Sequence, residues 1–193
     1  MKQIAKSIRQ RLLNMAHQKQ IDYNLLLIRY FHERFLYRLS ISPYRNSFYL
    51  KGGALLYALE TQFLRPTIDI DLLGIKIKND QENLLKIFTE ICKIEFLEDG
   101  IVFDFNSIKT VEINAIKKYQ GIRISLLAYL DTIKQRLQID VGFGDTKKEK
   151  GARRKEKAAG RRKTEEYPLQ ILKGCPKGGV VYMKMKKHLL KNR

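Results

Sequence analysis

Apolar positions in the first forty residues recur at three- and four-residue intervals, the spacing of helices with one buried stripe. Residues 3–18 predict one such helix. Leu25, Ile28, Phe35 and Leu39 predict a second over about 23–40, with Asp22 as N-cap and Arg29, Glu33, Arg34 and Arg38 on the polar positions between them. His32 falls in this helix and reads as a surface or partly packed histidine. "SPYRN" (42–46) is a turn and "SFYLK" (47–51) a short strand. Gly52-Gly53 then leads into a helix over 54–60. A further helix is expected over 80–93, with Asp80 as its cap.

The rest of the body alternates with period two, the strand signature. In "TIDIDLLG" (67–74), Ile68, Ile70 and Leu72 share one face, and Asp69 and Asp71 share the other. After Gly100 come runs at 101–105, 121–130 and 133–143, with a fourth strand at 107–113. In the last run Ile133, Leu137, Ile139 and Val141 oppose Lys134, Arg136, Gln138 and Asp140. The pattern predicts an α/β (α+β) fold: a mixed sheet flanked by helices, with N-terminal helices and an irregular basic tail.

Composition divides the chain at Asp145. The net charge is +18, but residues 146–193 carry 17 Lys and Arg against 4 Glu. The body is therefore only mildly basic, and residues 1–145 read as the folded domain. The segment 146–166 has no large apolar residue and predicts a disordered run or a frayed helix. No apolar run reaches the length of a membrane span. The N-terminus has neither the apolar core nor the cleavage site of a signal peptide. Cys92 and Cys175 lack metal-ligand spacing and read as thiols of a reducing, cytoplasmic compartment.

Paired carboxylates on one strand face repel by about 2–4 kcal/mol at an effective dielectric near 20, so their presence asks for a counter-charge. Taken singly, Gly-Gly is a tight turn, Asp-x-Asp an edge device, and Asp140 a strand-end turn residue. Taken together they describe a site for metal-assisted phosphoryl transfer. The amides of Gly52, Gly53 and the following helix turn can hold phosphate oxygens. Asp69, Asp71 and Asp140 can ligate Mg²⁺ or Mn²⁺.

Beyond these residues, "LKGGALL", "RPTIDID" and "IDVGFGD", with "RYFHERFLYRLSISPYRNSFYL" and "YQGIRISLLA" in the same order, resemble the AbiEii/AbiGii toxin family of nucleotidyltransferases. The resemblance covers about residues 5–146. It implies a polymerase-β-like core and an enzyme of type IV toxin–antitoxin and phage abortive-infection systems. Such an enzyme uses an NTP, with tRNA among the acceptors and a cognate antitoxin as partner. Carried over residue by residue, Gly52 and Gly53 match the glycine motif that meets the triphosphate. Asp69 and Asp71 match the metal-binding pair, and Asp140 the acidic residue of the second motif. Arg65 and Thr67 lie in the matching segment and are placed to touch phosphate.

The family's helical second half, with its Glu-Lys and Lys-Asp motifs, has no counterpart after Asp145. The chain therefore reads as C-terminally shortened or diverged. Three functions stay open: an active nucleotidyltransferase, an inactive remnant that binds only nucleotide or antitoxin, and a nucleic-acid binder driven by the basic tail.

Overall fold

The structure, a computed structural model, describes residues 2–51, 68–115, 119–143 and 167–168. The helices are α1 (Lys2–Lys19), α2 (Tyr23–Ile41) and α3 (Gln81–Cys92). The strands are β1 (Phe48–Lys51), β2 (Ile70–Gly74), β3 (Ile101–Ala115), β4 (Tyr119–Leu130), β5 (Ile133–Phe143) and the two-residue β6 (Tyr167–Pro168). Short 3₁₀ turns at Pro43–Asn46 and Leu97–Asp99 precede β1 and β3. This is the mixed α/β arrangement that the alternating pattern predicts. The predicted Gly52-Gly53 turn, the helix over 54–60, Arg65, Thr67 and the charge run 146–166 lie outside the described residues.

The caps follow their sequence signals. The Asp22 carboxylate accepts from the Leu25 amide at 3.0 Å, and that of Asp80 from the Asn83 amide at 2.7 Å. The sheet order is β3-β4-β5-β2-β1-β6. Its pairs are antiparallel except β2 with β5, which run parallel. β3, β4 and β5 form a meander. The turn between β4 and β5 bends through Asp131 in the left-handed region (φ 54°) and is clamped by α1. Arg9 pairs with Asp131 at 2.8 Å and donates to Thr132 Oγ1 at 2.8 Å.

One sheet face is the core. Leu137, Ile139 and Val141 of β5 lie beside Ile122, Ile124, Leu126, Ala128 and Leu130 of β4, all buried. The helices cover them. Phe35 of α2 stacks on Phe88 of α3 with ring centroids 5.8 Å apart, and Phe48 of β1 meets Phe88 edge-on at 5.8 Å. Gly100 lies against α1 with φ +64°. A Cβ there would stand 2.8 Å from Ala5 Cα, so both the backbone angle and the space require glycine.

The structure corrects several expectations. β2 begins at Ile70 rather than at Ile68. Ile68 is 70% exposed; among the described residues, pairing with β5 starts at Ile70–Ile139 and pairing with β1 ends at Lys51–Asp71. The runs 101–105 and 107–113 form one strand with an irregularity between Asp104 and Lys109. Ser107 bridges it: its hydroxyl donates to the Asp104 carbonyl at 2.6 Å and accepts from the Leu127 amide at 2.8 Å.

The polar positions of α2 are not a solvated stripe. Arg29, His32, Glu33, Arg34 and Arg38 are all buried. Arg38 forks onto Asp99 at 2.7 and 3.2 Å, and Arg29 pairs with Glu33 at 2.7 Å. Arg34 lies over the Tyr30 and Tyr37 rings. Internal partners replace water for most of these polar atoms, Glu33 Oε2 and Arg34 Nε being buried without a hydrogen bond, and α2 is enclosed on most of its circumference. Cys92 is a buried free thiol whose pKa burial pushes up to about 12, which suppresses the reactive thiolate.

Candidate active site

Strand register puts four charged residues in one row across the sheet. Lys51 of β1 is opposite Asp71 of β2, Asp71 is level with Asp140 of β5, and Asp140 is opposite Arg123 of β4. Register partners project to the same face, so this row lies opposite the core face that holds Leu72 and Val141. The charges run plus, minus, minus, plus. Asp69 occupies the bend just before β2. One carboxylate oxygen from each of Asp69, Asp71 and Asp140 fits within a cluster whose members lie within 4.8 Å of one another, and all three residues are partly exposed.

The flanking groups respond to this crowding. Arg123 donates from Nε to Asp140 Oδ1 at 2.8 Å and from Nη2 to Oδ2 at 2.7 Å, a two-toothed pair. That fork holds the guanidinium still more firmly protonated. The Asp71 carboxyl is raised above the usual carboxylate range. Burial is the main cause, followed by repulsion from Asp69 and Asp140, with Lys51 and Arg123 partly offsetting both. His32 of α2 lies within electrostatic reach of Asp69. Burial lowers its pKa to about 4 against the opposing pull of that carboxylate, so its ring is neutral at pH 7.

The donor set fits a hard divalent cation. It consists of three carboxylates, all oxygen, converging from two neighbouring strands and one bend. Burial first, and then the neighbouring carboxylates of Asp69 and Asp140, raise the Asp71 pKa by more than Lys51 and Arg123 lower it. A separate cleft of about 340 Å³ beside Cys92, Phe96, Leu97 and Phe103 contains none of these aspartates. Its guanidinium, Arg38, is already bonded to Asp99.

The structure thus brings Asp69, Asp71 and Asp140 together, while Gly52, Gly53, Arg65 and Thr67 fall outside the described residues. Sequence reasoning missed Arg123 and Lys51 as members of the same charged row. Lys51 had one available signal, its place directly before Gly52-Gly53.

A family model described as "Nucleotidyl transferase AbiEii toxin, Type IV TA system" matches residues 34–158, a segment that includes the three aspartates and Arg123. No curated protein matches the chain. Among solved structures, the crystal structure of JHP933 from Helicobacter pylori is similar at 17% identity and a TM-score of 0.40. That similarity covers 67% of this chain and 48% of the other, so this chain spans about half the length of that one. On the match over residues 34–158, the chain belongs to the AbiEii nucleotidyl transferase family of type IV toxin–antitoxin systems.

Proposed function

We propose that this protein transfers a nucleotide from an NTP to an acceptor hydroxyl, on RNA (tRNA included) or on a protein. The observation that carries the reading is the convergence of Asp69, Asp71 and Asp140 within a chain segment matched by a nucleotidyl transferase family. On this reading residues 1–145 form the transferase domain and 146–193 a basic tail. The protein works in the cytoplasm, and a cognate antitoxin restrains it.

The three carboxylates would hold Mg²⁺ or Mn²⁺. Bound there, the cation supplies Lewis-acid polarisation of the α-phosphate and eases deprotonation of the acceptor hydroxyl. The chain's own residues position the reactants. The Gly52 and Gly53 amides cradle the triphosphate, with Arg65 and Thr67 beside it. Lys51 and Arg123 place positive charge at both ends of the acidic pair, where phosphate charge gathers in the transition state. The acceptor oxygen bonds to the α-phosphorus, pyrophosphate leaves, and the hydroxyl proton departs through one of the carboxylates. The buried, neutral His32 lies within electrostatic reach of Asp69 and adds no positive charge there at pH 7.

The test is incubation of the purified chain with each labelled NTP, Mg²⁺ and total cellular RNA, beside an Asp69→Ala/Asp71→Ala variant. The expected result is label on RNA or protein with the wild type and a loss of at least about 10²-fold in the variant. Nucleotide binding without transfer would instead identify a non-enzymatic remnant. Equal labelling by both proteins would sink the assignment of the aspartates.

A further inference from the structure

We propose that Arg123 is an exchangeable counter-ion: it clamps Asp140 in the metal-free site and moves to a phosphate of the nucleotide when a divalent cation claims that carboxylate. The proposal rests on the nucleotidyl-transfer reading and adds to it a residue that discriminates between the empty and the loaded site.

Three observations carry it. First, a single guanidinium occupies both oxygens of Asp140, at 2.8 and 2.7 Å. Asp140 is also one of the three carboxylates that converge within 4.8 Å. A cation held by that trio needs an Asp140 oxygen, and its double charge repels a guanidinium bonded to the same group. The clamp and the cation therefore compete for one ligand.

Second, Arg123 has somewhere to go. Its side chain is 42% exposed, on the open face of the sheet. Its register partner on the other side is Val111 of β3, which is 60% exposed and offers no competing anion. Leaving Asp140 breaks two hydrogen bonds but uncovers no core.

Third, the chemistry of the two partners matches. The planar fork that grips a carboxylate grips a phosphate with the same two-bond geometry. A nucleotide entering with its cation brings such oxygens to the row where Arg123 sits. Without a cation the fork holds both oxygens of Asp140. In the loaded site it is released to the substrate.

Exchange predicts effects of opposite sign in Arg123→Gln and, because loss of a fixed charge would do the same, a loss of nucleotide affinity in Arg123→Lys, where the charge is kept and only the fork is lost. The experiment uses the purified full chain. Mn²⁺ binding is followed by electron paramagnetic resonance without nucleotide. Binding of an α,β-methylene NTP is then measured at saturating Mn²⁺. Arg123→Gln is expected to bind Mn²⁺ alone about tenfold more tightly and the nucleotide about tenfold more weakly. Arg123→Lys keeps the charge and loses the fork. It should retain near-wild-type Mn²⁺ affinity yet still lose nucleotide affinity, and it serves as the second variant should the first fold poorly.

If Arg123→Gln weakens both ligands, Arg123 merely shapes the site and the exchange is wrong. If neither affinity moves, the pair is a surface ornament and the exchange is equally wrong. A wild type that binds Mn²⁺ but no nucleotide removes the transfer reading and the exchange with it. A wild type that binds both, with shifts of one sign in the variant, removes the exchange alone.

Discussion

His32 shows how an ordinary residue acquires a measurable role through its surroundings. Its pKa in the fold is about 4, against 6.5 for an exposed histidine. The unfolded chain therefore binds this proton more tightly, so stability is fully present above about pH 6.5 and drains away as pH falls towards 4. The contribution is up to about 3 kcal/mol if the whole shift is expressed. Denaturant unfolding from pH 7 to pH 4 should show a shallower loss for His32→Gln than for the wild type; parallel curves would mean that the protonated ring finds an acceptor in the fold. The same residue marks a limit of sequence reading. A histidine between two charged residues on a helix looks solvated, and only the enclosure of α2 shows otherwise. Asp69 and Asp71 stood out for the opposite reason, since paired acids in an alternating strand break the pattern that a solvated face requires, whereas Asp140 stood out only in combination with them. Arg123 was not legible. An arginine on the polar side of an alternating strand is unremarkable until its register with Asp140 is known.

At the level of elements, the strands of the meander and the capped helix α3 could be read from periodicity and from Asp80. The misread parts were those decided by partners distant in sequence. β2 starts late because, among the described residues, no strand pairs with residues 68 and 69. α2 carries buried charge because Asp99, at the end of a 3₁₀ turn after α3, meets Arg38. That pair is closed on all sides. Asp99 also accepts from the Ile101 amide at 3.0 Å, and its own carbonyl accepts from the Tyr30 hydroxyl at 2.8 Å. Breaking one side of such a buried pair strands the other charge. Asp99→Ala is therefore expected to lower stability by about 3–5 kcal/mol in chemical denaturation. Replacing Arg38 and Asp99 together by apolar residues should restore much of the loss. If the double change proved as damaging as the single one, the pair would be fixing α2 against β3 by geometry rather than by charge compensation.

For the whole molecule, composition separated a mildly basic body from a strongly basic tail, and alternation announced strands set among helices. Strand order could not be read in this way. Nothing local says that β2 and β5 lie side by side or that they run parallel, yet that single pairing brings Asp71 level with Asp140. Its consequence concerns time. β3, β4 and β5 are joined by short connections and can zip together from neighbouring sequence, whereas β2 must find β5 across α3 and the whole meander. A refolding chain should regain most of its far-ultraviolet circular dichroism before it can capture Mn²⁺, the metal signal appearing in a later phase. Capture in the earliest phase would show that the central pair nucleates the fold. In the expected order, a half-made chain on the ribosome holds the acidic residues but not their cluster, and whatever chemistry that cluster supports waits for the last long-range strand contact to close.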